Sequence, residues 1–194
     1  MGQLAARAAQ LLGAGRVVVV DRYADRLGVA ERRLGVETIN YASTDVMDAL
    51  REMTAGRGPD ACIEAVGMEA HGARPAYTYD KVKHVLRLQS DRPTAVRQAI
   101  LACRKGGTVS IVGVFGGVVD KFPLGAAMNK GLTLRMGQQH GQRYIPMLLE
   151  RIGAGEIDPS YLATHRVPLE EEPQAYRMFE RKEDGCLRAV FQPG

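Results

Sequence analysis

Apolar residues fall along this chain in short runs, set between longer stretches with helical spacing. The run Val17-Val18-Val19-Val20 ends at Asp21 and has the pattern of a parallel strand buried on both faces. Before it, residues 2–12 read as a helix with small residues on its packing face. After it, Ala24 to Leu34 reads as a charged helix closed by Gly35, and residues 37–40 as a short strand. A helix over 45–54 follows, with Thr44 or Asp45 as its N-cap. The segment 59–66 predicts a strand running into Gly67, and 94–104 a helix closed by Gly106-Gly107. Further strands are expected at 108–114, 132–136 and 187–191, and helices at 142–153 and 170–182. Strands separated by helices of about ten residues predict an α/β fold with a parallel, doubly wound sheet.

Residues 68–92 break the alternation. Met68 to Pro75 reads as loop, and Tyr79 to Leu88 has helical spacing. An insertion after a parallel strand lies on the ligand side of such a sheet, so this is either a surface excursion or a lid. Composition adds little. At 45% hydrophobic, 194 residues support a substantial core, and no apolar run reaches the roughly 20 residues of a membrane span. The net charge of +4 is dispersed, without a basic stripe or aromatic platforms, so no nucleic-acid partner and no membrane are expected. Cys62, Cys103 and Cys186 are odd in number, far apart and without metal-ligand spacing. No signal peptide is evident, and a cytoplasmic location is expected.

The chemistry lies in glycines and one acid. A small-residue helix beginning at Gly2, a tight turn at Gly13 to Gly15, an apolar strand and Asp21 match the second half of a Rossmann mononucleotide unit. Gly2 would be the last glycine of G-x-G-x-x-G, and Asp21 the acid about 20 residues on that binds ribose hydroxyls. The first strand and first two glycines of that unit are not in the sequence, so the sheet is expected to lack its first, central strand. Gly67, Gly113 and Gly137 each follow a strand, leaving three strand ends bare enough for a nucleotide to approach. Asp21 would repel a 2′-phosphate, which favours NAD over NADP. Arg22 and Arg26 could stack on adenine or sit near a phosphate.

The stretch Pro59-Asp60-Ala61-Cys62-Ile63-Glu64-Ala65-Val66-Gly67, together with Ala102 to Val114, resembles the cofactor domain of medium-chain, zinc-type alcohol dehydrogenases. The insertion after Val66, the segment Asp120 to Gly131, Met136-Gly137-Gln138, and the closing His165 to Glu170 and Lys182 to Cys186 are most similar to the formaldehyde-dehydrogenase-like branch. The resemblance covers essentially the whole chain. It implies NAD as cofactor, with the ribose acid at Asp21 and an adenosine-side base at Arg26. Backbone contacts to the nicotinamide half would come from Val66, Val112, Gly113, Val114, Gly137, Gln138 and Gln139. His71 and Arg188 would approach the phosphates, with plain surface placement as the alternative for each.

The same resemblance places the family's catalytic and structural zinc ligands, and its proton-relay hydroxyl, upstream of Met1. His71, His84, His140 and His165 have no metal-ligand spacing. The expectation is a dinucleotide-binding domain over 1–137, interrupted at 68–92, and a C-terminal segment over 138–194 that in the family returns to the catalytic domain. Such a chain would hold NAD weakly and supply no catalytic residue of its own. Hydride transfer from an alcohol or aldehyde adduct to NAD would belong to the full-length relative. The alternative is a non-catalytic, truncated nucleotide-binding module or a misplaced start. A homodimer through the edge strand 132–136 is expected from the same likeness.

Overall fold

The computed structural model describes residues 1–69, 93–116 and 119–193. In chain order their main elements are α1 (Gly2–Leu11), β1 (Val18–Asp21), α2 (Ala24–Leu34), β2 (Glu37–Asn40), α3 (Val46–Met53) and β3 (Ala61–Glu64). Then come α4 (Thr94–Ala102), β4 (Thr108–Ile111), α5 (Leu124–Asn129), β5 (Thr133–Met136), α6 (Gly141–Gly153), β6 (His165–Pro168), α7 (Glu172–Arg181) and β7 (Ala189–Gln192). The expected α/β architecture with parallel strands is present.

Local chemistry explains the best-defined elements. Asp25 stands in the first turn of α2 and Arg32 and Arg33 in its last, each sign complementing the helix dipole. The helix stops where Gly35 takes φ 64°, a left-handed conformation that glycine reaches without a Cβ penalty. Asp45, not Thr44, caps α3, accepting from Met47 N at 2.8 Å and Asp48 N at 3.2 Å. The end of α4 is held by Lys130, whose Nζ donates to the carbonyls of Ile100, Leu101 and Cys103.

The strands form three parallel sheets among the described residues, in the orders β1-β2, β3-β4-β5 and β6-β7. Ile100, Val96, Cys103 and Val109 are almost fully buried between α4 and the three-stranded sheet, with Ile111 and Ala127 beside them. Leu27, Ala30, Val36, Ile39 and Val46 bury the inner face of α2, β2 and α3. Gln3 Nε2 donates to Arg26 O and Gln10 Nε2 to Leu34 O, so two side chains of α1 tie it along α2.

Three features depart from the expectation. The valine run is not buried on both faces: Val18 and Val19 are half-buried and Val20 is 38% exposed. The reason is that among the described residues β1 pairs only with β2, so its other edge meets a cleft instead of a strand. Among the described residues β3 pairs with β4 and not with β1, so a gap separates the two strands, as expected of a sheet without its central strand. Residues 124–129 form a helix, and 165–168 a strand aligned with β7, neither of which the apolar pattern announced.

Candidate functional site

A cleft of about 2870 Å³ opens between β1 and β3 and extends along α1 and α4 towards Arg188. Ordinary ligand pockets occupy about 300–1,000 Å³, so this space is larger than a small molecule needs. Gly2, Asp21, Arg26, Val66 and Arg188 all line it. Five of the residues expected to touch a dinucleotide therefore converge on one cavity, from five separate parts of the chain.

Asp21 stands at the C-terminal end of β1, where a parallel sheet opens its crevice. Its Oδ1 accepts from Arg22 N at 2.6 Å and Tyr23 N at 3.2 Å, which fixes the carboxylate orientation. Oδ2 has no hydrogen-bond partner among the described residues and remains available as an acceptor. The Tyr23 ring lies 4.9 Å from the guanidinium carbons of both Arg22 and Arg26. Tyr41 also lines the cleft, and burial holds its hydroxyl above the usual value, with Arg22 acting in the opposite sense. Acid, flat ring and two guanidiniums together offer hydrogen-bond acceptors for a sugar and a surface for a base.

The start of α1 provides the complementary charge. The N–H groups of Gly2, Gln3 and Leu4 precede the first helical bond, Ala5 N to Met1 O at 3.1 Å, so they have no acceptor in the helix. No acidic side chain stands in this turn. Burial, then Arg188 and Arg26, hold the Met1 amino group below its usual value, which shows how close these cations are to the helix end. Arg188 is placed by the β6-β7 pair: its carbonyl accepts from His165 N at 3.2 Å, and Thr164 Oγ1 accepts from Leu187 N at 3.0 Å. An anion at the N-terminus of α1 would meet free N–H groups and two guanidiniums.

Glu64 is the residue that pattern reading passed over. It is the buried charged side chain of the described residues, 3% exposed, at the end of β3. Its Oε1 accepts from Val66 N and Gly67 N, both at 2.7 Å, while its carbonyl accepts from Val112 N at 2.8 Å and Gly113 N at 3.1 Å. Met68 N donates to Val114 O at 3.1 Å. One carboxylate thus braces the turns after β3 and β4 against each other. This contact gives the two glycines a reason of their own. A Cβ on Gly113 would collide with Gly67 N and Glu64 Oε2, and one on Gly67 with the Val114 backbone. Glu64 Oε2 itself has no hydrogen-bond partner among the described residues. A lone acid in an apolar strand run is the sequence signal that could have found it.

The other expected contacts are more scattered. Val66, Val112 and Val114 are 50%, 40% and 60% exposed, forming an apolar ledge at the braced turns, but of these only Val66 lines the cleft. Gly137, Gln138 and Gln139 are exposed beyond β5 and do not line it. Gly137 has open space around it, as close approach of a ligand requires. His71 and residues 70–92 of the segment expected to be a lid or excursion lie outside the described residues; its first two, Met68 and Glu69, end a short helical turn that begins at Gly67. Burial pushes the Cys62 thiol, which also faces the cleft, up to about 12. Among the described residues no three of His, Cys, Asp and Glu are grouped to hold a metal ion. None of the described helices is long and apolar enough to cross a membrane.

Comparison with known proteins agrees with this geometry. A family model described as zinc-binding dehydrogenase matches residues 1–79. The zinc-type alcohol dehydrogenase-like protein AdhB of Bacillus subtilis is 35% identical over 194 residues, covering 100% of this chain and 50% of that protein. The glutathione-independent formaldehyde dehydrogenase of the same organism is 30% identical, covering 93% of this chain and 45% of its own length. The solved alcohol dehydrogenase TADH from Thermus sp. ATN1 superposes with a TM-score of 0.77 at 31% identity, over 99% of this chain and 49% of that one. The chain spans about half the length of these relatives. The chain is thus similar to the zinc-type alcohol dehydrogenases over about half of their length.

Proposed function

We propose that this chain binds a nicotinamide dinucleotide, NAD in preference to NADP, as the cofactor half of an alcohol- or aldehyde-adduct-oxidising dehydrogenase. The observation that carries the reading is the convergence of Asp21, the open first turn of α1 and Arg188 on one cleft. Asp21 Oδ2 would accept from the adenosine ribose hydroxyls, and its charge would oppose a 2′-phosphate. The N–H groups of Gly2 to Leu4, with Arg188, would hold the pyrophosphate, and Arg26 beside Tyr23 would flank the adenine side. The apolar ledge of Val66, Val112 and Val114 offers a surface for the nicotinamide ring, with Gly113 in the turn beneath it. Gly137, Gln138 and Gln139 would reach the same ring only from beyond the cleft wall.

NAD, when bound, accepts a hydride at its nicotinamide ring; the described residues of this chain orient it. They offer no donor set suited to zinc, so no step through that metal is derived from them. The exposed apolar residues Ile145, Leu149 and Ile152 of α6 support a further proposal, that residues 138–194 pack against the part of the dehydrogenase this chain does not contain.

Calorimetric titration of the full chain with NAD, NADP and ADP-ribose tests the assignment. Weak NAD binding, NADP binding weaker still, and loss of about 10-fold or more on Asp21→Ala are expected, as for hydrogen bonds to a charged acceptor. Micromolar NADP binding that exceeds NAD binding would sink the role of Asp21.

A further inference from the structure

Four backbone donors from two separate turns all end on Glu64. Its Oε1 takes Val66 N and Gly67 N, and its carbonyl takes Val112 N and Gly113 N. The side-chain pair is the unexpected one. β3 and β4 run parallel, with Cys62 opposite Val109 and Glu64 opposite Ile111. In such a ladder each bonded residue of β3 donates to the residue before its partner and accepts from the one after it. Thr108 N to Asp60 O at 3.2 Å and Val112 N to Glu64 O at 2.8 Å follow that rule. The next rung would run from Val66 N to Val112 O. It is not made, because Glu64 Oε1 takes the Val66 donor at 2.7 Å. The acid thus ends the ladder one rung early and leaves the Val112 carbonyl, directed towards the end of β3, without a partner among the described residues. The Val66 carbonyl, which the Val114 amide would have met next, is left in the same state.

The outcome is a turn end rich in acceptors and poor in donors. Of the amides from Val66 to Met68 and from Val112 to Val114, only that of Val114 lacks an acceptor among the described residues, Met68 N being taken by Val114 O. Glu64 Oε2, buried and without a hydrogen-bond partner among the described residues, adds a further acceptor against Gly113. The backbones of Gly67 and Gly113 are pressed together too closely for the turns to rearrange and present other groups. Val66, Val112 and Val114 are exposed, so a group resting on this ledge meets the carbonyls. The polarity is opposite to that at the start of α1, where free N–H groups and Arg188 suit an anion. A carboxamide brings two N–H donors and one carbonyl, which suits free acceptors and a single amide donor. A carboxylate brings acceptors alone and meets acceptors.

We propose that Glu64 determines specificity at this end of the site: by taking the turn donors it makes the ledge select a pyridine carboxamide over the corresponding carboxylate. The inference rests on the dinucleotide reading and deepens it. Glu64 acts through the backbone it holds and is therefore a positioning residue.

Calorimetric titration of the full chain with NAD, nicotinic acid adenine dinucleotide and ADP-ribose tests this. The second ligand is NAD with a carboxylate in place of its carboxamide, and the third lacks the pyridine ring. NAD is expected to bind at least about fivefold more tightly than the acid, the cost of setting a carboxylate against unpaired acceptors. In Glu64→Ala the donors of Val66 and Gly67 are released, and the preference should fall to within about twofold. Glu64→Gln keeps the Oε1 acceptor but not the charge, so its preference should lie between the two. ADP-ribose should bind all three proteins alike, a result that a general loss of structure would not give. If Glu64→Ala does not fold, the parent and Glu64→Gln decide alone. The proposal is overturned if the variants keep the parent's preference, or if ADP-ribose affinity falls in step with that for NAD. ADP-ribose binding with no preference between NAD and the acid in the parent overturns this inference alone. Absence of binding by all three ligands overturns the dinucleotide reading, and this inference with it.

Discussion

Replacing Glu64 isolates the brace between the two strand-end turns. In Glu64→Ala the N–H groups of Val66 and Gly67 lose a carboxylate oxygen that each meets at 2.7 Å. Gly67 is buried, so its donor loses its partner without gaining water, at a cost of about 1–3 kcal/mol. Val66 is 50% exposed and can be rehydrated, so only a net hydrogen bond of about 1 kcal/mol is lost there. The unpartnered Oε2 disappears as well, which returns roughly 1 kcal/mol of desolvation penalty. The balance is a destabilisation of about 1–3 kcal/mol, a large share of the stability of a small domain. Glu64→Gln keeps the Oε1 acceptor and should stay within about 1 kcal/mol of the parent. Urea titration at pH 7 reads both as shifts of midpoint at constant slope, and amide exchange at Gly67 and Gly113 reports whether the loss is local. The reasoning fails if Glu64→Ala shifts stability by less than about 0.5 kcal/mol, or if Glu64→Gln is as damaging as Glu64→Ala.

Gly113→Ala drives a Cβ into the Gly67 backbone and should destabilise by about 1–3 kcal/mol, whereas Gly137→Ala, with open space around it, should be near neutral in the same titration. Equal effects of the two would remove the packing account of Gly113. We also propose that the chain forms a dimer through β5: Thr133 N bonds Gly107 O, which leaves the Leu134 N–H on the outer edge. Light scattering should then find a dimer that Leu134→Pro converts to monomer, and a folded, dimeric variant would place the interface elsewhere. Burial holds the Cys62 thiol up to about 12, against an ordinary value of 9.0. Because the folded value is the higher one, its contribution is complete below pH 9 and is lost as pH rises from there towards about 12. Stability should fall over that window and fall less in Cys62→Ala, measured by urea midpoints; parallel curves for both proteins would refute the assignment.

What the sequence determined by itself are the features set within a few residues. The helix over Ala24 to Leu34 was legible because its charges and Gly35 mark both ends. The cap at Asp45 and the acid ending β1 are local in the same sense. Strand β6 was not legible, because His165-Arg166-Val167-Pro168 has no apolar run and is held in place by β7, more than 20 residues away. The valine run shows the limit from the other side: composition alone reads it as buried on both faces, but burial depends on which strand occupies the next lattice position. Gly67 and Gly113 read alike as ligand-side turns, yet only the folded chain presses them against each other around Glu64. Local propensity and turn chemistry act over a single element and are written in neighbouring residues. Edge pairing and the convergence of Asp21 with Arg188 are decided by contacts distant in sequence, and therefore only by the tertiary structure.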